Sequence, residues 1–406
     1  MSRRIGREDF APHGKSDRHR KGWPRGVSRL SPAFGLNYGY LAHTGDASGH
    51  VARGMREKRA LHLISHSVAP SSAGFEEAGN GEVLRRRPMR KVIRTGVIGI
   101  GKMGANHARI YATMPGSHLV GIYDPDLARA RACAEACGCT AFDTVEALIA
   151  AGVEAVSVAV PTSKHRDVVC HVLALGAHVL VEKPIASTVE EAEEMIRTAG
   201  RRGRLLMVGH IERFNPAITA IRDSVGSEEI ITINIVRVGP RPPRIKDAGV
   251  IIDLAVHDID LVRYLTGQPV TDVYCVSSAH GDVYEDTASI LLRTERGVSA
   301  QLTVNWITPY KAREIQVITP NRLVRANLLT QHVQSASRYS AEDGSYLVHD
   351  LYVPYQEPLR AQLAAFLDAV RRGEAPPVTG EDGLRTLEVA LRAAACRTDS
   401  ILRCAS

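Results

Sequence analysis

Residues 92–111 read VIRTGVIGIGKMGANHARIY, in which an apolar run leads through a glycine-rich turn into a stretch with helical spacing. Residues 92–98 have the length and composition of a buried strand, and residues 103–111 favour a helix. The turn between them, GIGKMG at residues 99–104, has the spacing by which a first βα turn binds a dinucleotide. The stretch therefore predicts the opening of a nucleotide-binding domain.

Each glycine of the turn has a physical role in such a domain. Gly99 permits the tight turn, Gly101 lets the backbone approach a pyrophosphate, and Gly104 lets the helix pack close to the strand. The free N–H groups at the helix N-terminus then face the phosphates. The alternative is a glycine-rich connector without a ligand.

The hydrophobic pattern divides the chain into two kinds of domain. From residue 90 to 209, short apolar runs at 92–98, 118–123, 155–160, 178–181 and 205–209 alternate with segments of helical length, such as residues 127–137. This alternation predicts a parallel sheet covered on both faces. After about residue 215, period-two segments predict an open, mainly antiparallel sheet with strands at 230–238, 272–278, 287–294, 298–306 and 315–319. A helix is predicted over residues 250–265. The predicted fold is an α/β Rossmann domain with a parallel sheet followed by an α+β domain. Its boundaries are residues 89–212 for the nucleotide-binding domain, 213–380 for a substrate and oligomerisation domain, and 381–406 for a C-terminal helix packing back on the body.

The first 88 residues differ from the rest in charge and pattern. They carry 16 Lys and Arg against 8 Asp and Glu, a net charge of +8, whereas the whole chain carries +7. They are rich in Gly, Ser, Arg, His and Pro without sustained periodicity, so we expect disorder there, and a translation start at Met89 is one hypothesis. Because the main body has no basic excess, we expect no nucleic-acid partner.

Cysteine usage and hydropathy indicate the cellular compartment and bear on metal binding and membrane association. The seven cysteines include no CxxC pair, which favours small buried residues in a reducing compartment over metal binding. No apolar run reaches the length of a membrane span. We therefore expect a cytoplasmic protein with no metal and no membrane association.

Lys183 lies in the motif Val181-Glu182-Lys183-Pro184 at the end of a predicted strand. The carboxyl edge of an open α/β sheet is where such folds bind ligands. A lysine there can reach a reacting hydroxyl beside a bound dinucleotide, and the alternative is a surface lysine. Together with the glycine loop, it indicates an NAD(P)-dependent oxidoreductase.

Asp124 ends the second predicted strand, 25 residues after Gly99. A carboxylate at this place accepts hydrogen bonds from ribose hydroxyls and repels a 2′-phosphate, so NAD is favoured over NADP. Asp124 could instead be a helix cap or turn residue. Pro161 and Thr162 follow the strand at 155–160, where a loop would pass over the nicotinamide, or would form an ordinary turn.

Asp253 and His257 are four residues apart in the predicted helix, so they share one face. A histidine can take a hydroxyl proton near neutral pH, and an adjacent carboxylate can orient it. The alternative is a capped histidine at the edge of the core.

Polar residues cluster at the junction of the two predicted domains and along the second sheet. Arg213 and Asn215, in the junction HIERFNP at residues 210–216, either bind a sugar hydroxyl or phosphate or fix the hinge. Several cations could contact a diphosphate, although exposed sheet residues are often basic: Arg237, Arg244, Lys246, Lys311 and Arg313.

Residues 91–400 resemble the glucose-fructose oxidoreductase / inositol dehydrogenase / MocA family through the GIGKMG loop, Glu182-Lys183-Pro184 and the Asp253 and His257 pair. The resemblance implies that Lys183, Asp253 and His257 line the active site, and that the peptide before Pro184 is cis. The segments at 210–216, 252–260 and 305–309 further resemble the UDP-N-acetylglucosamine 3-dehydrogenase branch.

This narrower resemblance implies NAD-dependent oxidation of the C3 hydroxyl of UDP-N-acetylglucosamine, with a downstream aminotransferase in a lipid A type amino-sugar pathway. A dehydrogenase of a free polyol such as inositol and a non-catalytic NAD-binding regulator are the rivals. A homo-oligomer is expected from the exposed sheet face.

The sequence thus assigns three overlapping sets of site residues. The catalytic set is Lys183, His257 and Asp253. The cofactor set is Gly99, Ile100, Gly101, Lys102, Met103, Gly104, Asp124, Pro161, Thr162, Glu182 and Lys183. The substrate set is Lys183, Arg213, Asn215, Arg244, Asp253, His257 and Lys311.

Overall fold

A computed structural model describes residues 91–396 apart from residues 244, 246, 247, 281 and 282. The expectation for residues 1–88 lies outside the described residues. Within them, no helix is both long enough and apolar enough to cross a membrane.

The first part of the described chain is a six-stranded parallel sheet with strand order β3-β2-β1-β4-β5-β6. Its order reverses between β1 and β4, which is the place where doubly wound folds bind ligands. The strands are β1 Ile93–Ile98, β2 Ser117–Tyr123, β3 Thr140–Phe142, β4 Ala155–Val158, β5 His178–Glu182 and β6 Leu206–Gly209.

Five helices cover this sheet, and capping side chains fix where several of them begin. Asp126, Thr144 and Thr188 each accept a hydrogen bond from a backbone N–H in the first turn of their helix. The helices are α1 Lys102–Thr113, α2 Leu127–Cys137, α3 Val145–Ala150, α4 His165–Ala174 and α5 Val189–Arg202. The parallel sheet with helical crossovers is thus confirmed.

The second part contains an eight-stranded sheet with order β14-β13-β12-β11-β7-β10-β9-β8. All neighbouring strands are antiparallel except β7 and β10, so the mainly antiparallel sheet is confirmed. The strands are β7 Thr232–Pro240, β8 Val270–Ser278, β9 Thr287–Thr294, β10 Ser299–Asn305, β11 Ile307–Ile318, β12 Arg322–Asn327, β13 His332–Ser337 and β14 Val348–Leu351.

Two helices accompany the second sheet, and burial alternates along its strands. The helices are α6 Pro216–Val225 and α7 Val256–Thr266. Ile233 and Ile235 of β7 are buried, whereas Tyr274 and Leu291 on the other face are 66% and 54% exposed. The sheet therefore covers a core on one side and presents apolar side chains on the other.

Two C-terminal helices, α8 Pro358–Arg372 and α9 Gly380–Ala395, complete the described chain. Leu363 and Phe366 of α8 belong to the core of the parallel sheet, although α8 follows the second sheet in the chain. Leu387 of α9 lies in that same core, whereas Val389 and Ala390 lie in the core of the second sheet. Helix α9 therefore contributes side chains to both cores.

Candidate active site

The glycine loop has the shape that a pyrophosphate requires. Gly99 has φ +87°, and a Cβ there would lie 2.8 Å from the backbone of Ala159. A Cβ on Gly104 would lie 1.7 Å from the carbonyl oxygen of Gly99, so the start of α1 packs against the turn only with glycine. A Cβ on Gly101 would meet no atom within 4 Å. The loop thus leaves open space on the side from which phosphates approach the N-terminus of α1, and it fits a dinucleotide.

Asp124 supports this loop from the end of β2. Its Oδ2 accepts a hydrogen bond from the N–H of Ile100 at 2.6 Å, and its Oδ1 accepts one from the N–H of Asp126 at 2.9 Å. Asp126, in turn, caps α2. The turn role considered from the sequence is therefore present, and a contact of Asp124 with ribose stays a prediction.

The other residues assigned to the cofactor lie along the same edge of the sheet. Pro161 and Thr162 follow β4, where Thr162–Lys164 forms a short 3₁₀ turn. Lys102 is exposed at the start of α1, and Met103 is half-buried beside it. Glu182 ends β5, next to β4 and β6. The positions suit a dinucleotide, and the individual contacts stay predictions.

Lys183 and Asp253 meet although they lie 70 residues apart in the sequence. The Nζ of Lys183 donates to the backbone oxygen of Asp253 at 2.7 Å and to its Oδ1 at 2.9 Å. The two side chains are 15% and 14% exposed. The Lys183-Pro184 peptide is cis. A lysine of the parallel sheet and a carboxylate of the second domain are therefore joined in one pair.

Residues 250–266 are helical, close to the predicted 250–265, but the turn that carries Asp253 is not α-helical. Residues Ile251–Ala255 form a π-helical turn, and α7 begins only at Val256. We expected Asp253 to orient His257, but its carboxylate contacts Lys183 instead. Nδ1 of His257 is buried and has no hydrogen-bond partner among the described residues.

The electrostatic surroundings keep His257 neutral. Burial lowers its pKa well below the usual value of 6.5, and the positive charges of Lys183, Arg237 and Arg313 lower it further. A neutral imidazole can accept a proton, which an imidazolium cannot. The ring therefore has a free lone pair at neutral pH, and the same lowered pKa makes it a weaker proton acceptor than a free imidazole.

A buried ionic cluster lies close enough to His257 to act on it. Arg237 is 1% exposed, and it donates to Asp258 and to Glu212, each at 2.8 Å. Arg313, which faces Arg237 across the β7–β11 pair, lies 3.4 Å from the same Glu212 oxygen. Burial raises the pKa of Asp258 to about 6, although Arg237 opposes this shift. The carboxylates of Asp258 and Glu212 thus offset the repulsion between the guanidinium groups of Arg237 and Arg313.

Arg213 and Asn215 are committed to contacts within the protein. Arg213 donates to both oxygens of Asp260, at 2.8 and 2.7 Å. Asn215 donates to Glu212 and to the carbonyl of Leu328, while its side-chain oxygen caps α6. Their hydrogen-bonding groups are thus occupied at the junction, which favours the hinge role over the substrate contact that the sequence assigned to them.

The other two residues assigned to the substrate are Lys311 and Arg244. Lys311 is exposed on β11 beside Gly239, and Arg244 lies outside the described residues. His210 was not assigned a role from the sequence. It is 2% exposed, directly follows β6 and is near enough to affect the pKa of His257. Its position at the carboxyl edge of the sheet is the signal that could have identified it.

A cavity of about 1020 Å³ lies between α7, the start of β8 and α9. Arg213, Arg263 and Tyr264 are among the residues that line it, but Lys183 and His257 are not. The described residues contain no group of three His, Cys, Asp or Glu side chains that could hold a metal ion.

Comparison with known families bears directly on this arrangement. Residues 93–210 match the profile of an oxidoreductase family with an NAD-binding Rossmann fold, and residues 229–321 match the GFO/IDH/MocA C-terminal domain. The UDP-N-acetylglucosamine 3-dehydrogenase of Acidithiobacillus ferrooxidans is 34% identical over 304 residues, which cover 74% of this chain and 96% of that protein. The chain belongs to the GFO/IDH/MocA family. It is an NAD-dependent oxidoreductase that acts on CH–OH groups.

Family members with different substrates match at comparable levels. The NAD-dependent scyllo-inositol 2-dehydrogenase of Bacillus subtilis is 29% identical over 328 residues, which cover 75% of this chain and 94% of that protein. A solved structure of the A. ferrooxidans UDP-N-acetylglucosamine 3-dehydrogenase superposes with a TM-score of 0.71 at 32% identity, covering 75% of this chain and 97% of that one. These relatives support a sugar or polyol dehydrogenase as the general class.

Proposed function

We propose that this protein oxidises the C3 hydroxyl of UDP-N-acetylglucosamine to the 3-keto nucleotide sugar, with NAD as the electron acceptor. The observation that carries the proposal is the contact between Lys183 and Asp253, with His257 near enough for the charge of Lys183 to lower its pKa, in a chain 34% identical to an enzyme of that name. The proposal names a substrate within the dehydrogenase class given above.

The catalytic groups would divide the chemistry as follows. The C–H and O–H bonds of one carbinol break, and a carbonyl forms. NAD, when bound, would be the two-electron acceptor. His257 accepts the hydroxyl proton because its imidazole is neutral. The ammonium of Lys183 donates a hydrogen bond to the oxygen as negative charge develops there. Asp253 holds that ammonium in place, since it accepts from Nζ at 2.9 Å.

The glycine loop would hold the cofactor. Its backbone N–H groups and the N-terminus of α1 can bind the pyrophosphate, and Asp124 can accept hydrogen bonds from the adenosine ribose. The 2.6 Å bond from Ile100 to Asp124 keeps these two elements together.

Basic residues near the site support a substrate with negative charge. Arg313 acts electrostatically on both His257 and Asp253, and its side chain is 36% exposed. Lys311 is exposed two residues away. A diphosphate could be bound here, whereas a free polyol would not need these cations.

The direct experiment incubates the purified protein with NAD and UDP-N-acetylglucosamine while following NADH absorbance and product mass. The expected product is lighter than the substrate by two hydrogens. Parallel reactions with myo-inositol and free N-acetylglucosamine test the polyol alternative. Turnover of inositol without turnover of the nucleotide sugar would reject the proposal.

Two variants refine this test. Charge reversal by Lys311→Glu or Arg244→Glu should weaken the affinity for UDP-N-acetylglucosamine and leave that for myo-inositol unchanged. Lys183→Ala should lower kcat by about a hundredfold or more, as expected for a group that stabilises the transition state. Full activity of Lys183→Ala would instead remove the lysine from the mechanism.

The wider setting of the reaction is part of the proposal. A 3-keto nucleotide sugar is a substrate for an aminotransferase, which would yield a 3-amino sugar for a lipid A type glycolipid. The apolar outer face of the second sheet suits association with a second copy, and the cytoplasm is the expected location.

A further inference from the structure

Two buried histidines contact the residues on either side of Lys183. His107 in α1 is 0% exposed, and His165 at the start of α4 is 1% exposed. Neither ring has a part in the proton transfer described above. Both lie between the candidate cofactor loops and the strand end that carries the lysine.

His107 contacts the residue before Lys183. Its Nε2 lies 2.9 Å from Oε1 of Glu182. Burial would raise the pKa of Glu182, but the hydrogen bond from His107 and the charge of Lys183 hold that pKa below its ordinary value. Glu182 is therefore a carboxylate at neutral pH, so His107 donates the hydrogen bond and carries its proton on Nε2.

His165 contacts the residue after Lys183. Its Nδ1 lies 2.9 Å from the carbonyl oxygen of Pro184, and its Nε2 lies 3.1 Å from the carbonyl oxygen of Val160. Carbonyl oxygens only accept, so the ring donates one hydrogen bond when neutral and two when protonated. The neutral ring thus donates to one loop and packs against the other, and only the protonated ring donates to both.

These contacts connect Lys183 to both places where NAD is expected. Helix α1, which carries His107, begins at Lys102, within the glycine loop. Val160 precedes Pro161 and Thr162, the loop assigned to the nicotinamide. Because both rings are packed in the protein interior, they limit movement of the backbone around Lys183.

We infer that His107 and His165 are positioning residues that hold Lys183 in line with the bound cofactor. His107 acts through the Glu182 side chain, and His165 acts through the Pro184 carbonyl. The inference rests on the proposed role of Lys183 in the oxidation.

Amide side chains allow each contact to be removed separately. Gln places an N–H near the position of histidine Nε2, and Asn places one near Nδ1. His107→Gln can thus keep the Glu182 contact that His107→Leu removes. His165→Asn can keep the Pro184 contact, and His165→Gln can keep the Val160 contact.

The full-length protein and its variants would be compared for kcat, KM, the Kd of NAD and thermal stability, with UDP-N-acetylglucosamine as substrate. A displacement on the order of 1 Å can cost about a hundredfold in rate, so we expect His107→Leu to lower kcat by about 30- to 100-fold. The Kd of NAD should change by less than about threefold, because no pyrophosphate contact is lost. His107→Gln should recover most of the rate, and His165→Asn should retain more activity than His165→Gln.

His178 provides the control, since it lies at the opposite end of the same strand, β5. Its Nδ1 accepts a hydrogen bond from the N–H of Leu205 at 3.0 Å. His178→Leu should lower the melting temperature without lowering kcat of the folded enzyme.

The possible outcomes distinguish the positioning role, the proposed substrate and the role of the lysine. A wild-type kcat in His107→Leu would overturn the positioning role. A loss of rate in this variant would also overturn it if NAD affinity, or the amount of folded protein, fell by the same factor. If the wild type oxidises myo-inositol instead of the nucleotide sugar, the proposed substrate fails, and the same comparison is made with inositol. If Lys183→Ala is fully active, the catalytic role of the lysine fails whatever the histidine variants do.

Discussion

The pair formed by Lys183 and Asp253 gives the sharpest test of the site. If Asp253 acts by holding the lysine, then Asp253→Asn should lower kcat/KM only slightly in a protein that already lacks the Lys183 ammonium. If Asp253 instead acts on His257, as its sequence spacing suggested, Asp253→Asn should lower kcat/KM equally with or without the lysine. A double-mutant cycle of Asp253→Asn and Lys183→Met distinguishes these cases.

The size of the effect follows from the geometry. Two unit charges 2.9 Å apart attract each other by about 6 kcal/mol at an effective dielectric constant of about 20. Solvent screens part of this attraction, because both side chains are about 15% exposed. Asp253→Asn also leaves the 2.7 Å hydrogen bond from Lys183 to the Asp253 carbonyl in place, so the variant loses less than the full attraction. We therefore expect a coupling energy of about 2 kcal/mol, near the lower end for close charge pairs.

The assay is kcat/KM for the sugar at saturating NAD in the wild type, both single variants and the double variant. A coupling of about 2 kcal/mol corresponds to about a thirtyfold difference between Asp253→Asn in the wild-type and Lys183→Met backgrounds. Circular dichroism and NAD affinity serve as controls for folding. Additive losses in the double variant would refute the reasoning, because they would mean that the two residues act independently.

Other parts of the structure give further expectations. Gly104→Ala should abolish NAD binding, because its Cβ would lie 1.7 Å from a backbone oxygen, whereas Gly101→Ala should keep the fold and weaken NAD binding by about tenfold, measured by titration. Arg237→Met should lower the free energy of unfolding by about 3–5 kcal/mol in urea titrations, since it removes the ion pair of the buried Asp258 and leaves Glu212 with only Arg313 and Asn215 among the described residues. The pKa of Asp258 is raised from 3.8 to about 6, so this group stabilises the folded state at low pH, and that contribution is lost as pH rises from about 4 to about 6. The unfolding free energy of Asp258→Asn, measured over the same pH range, should lack this contribution. If the proposed self-association uses the exposed face of the second sheet, Leu291→Lys should shift sedimentation toward smaller species.

The sequence predicted the parallel domain well because each of its strands is a short apolar run between amphipathic helices. Helix α2, Leu127–Cys137, begins and ends at the predicted residues. Strand β3 was missed, since three residues after a left-handed glycine cap carry no periodicity. Helix α6 was missed because it begins at Pro216, a residue that usually interrupts a pattern but is tolerated in the first turn.

The second sheet was predicted less completely. Strand β11 extends from Ile307, not Ile315, because a bulge and charged residues interrupt the alternation in its first half. Strands β12, β13 and β14 were not predicted at all. Their short polar segments become strands through pairing with neighbours, which sequence periodicity does not record.

The candidate site shows the same limit. Spacing placed Asp253 beside His257, but the carboxylate contacts a lysine from another domain that only the tertiary fold brings near. Arg213 and Asn215 lie at a junction that suited substrate, yet both are used within the protein. Local spacing identifies which residue types are available, whereas their partners depend on long-range packing.

Because α9 contributes side chains to both cores, the two halves of the described chain depend on one shared segment for their stability. Melting of α9 would expose apolar surface in both halves at once, so heat should unfold them in a single cooperative transition. Neither half should therefore fold to full stability when expressed without α9.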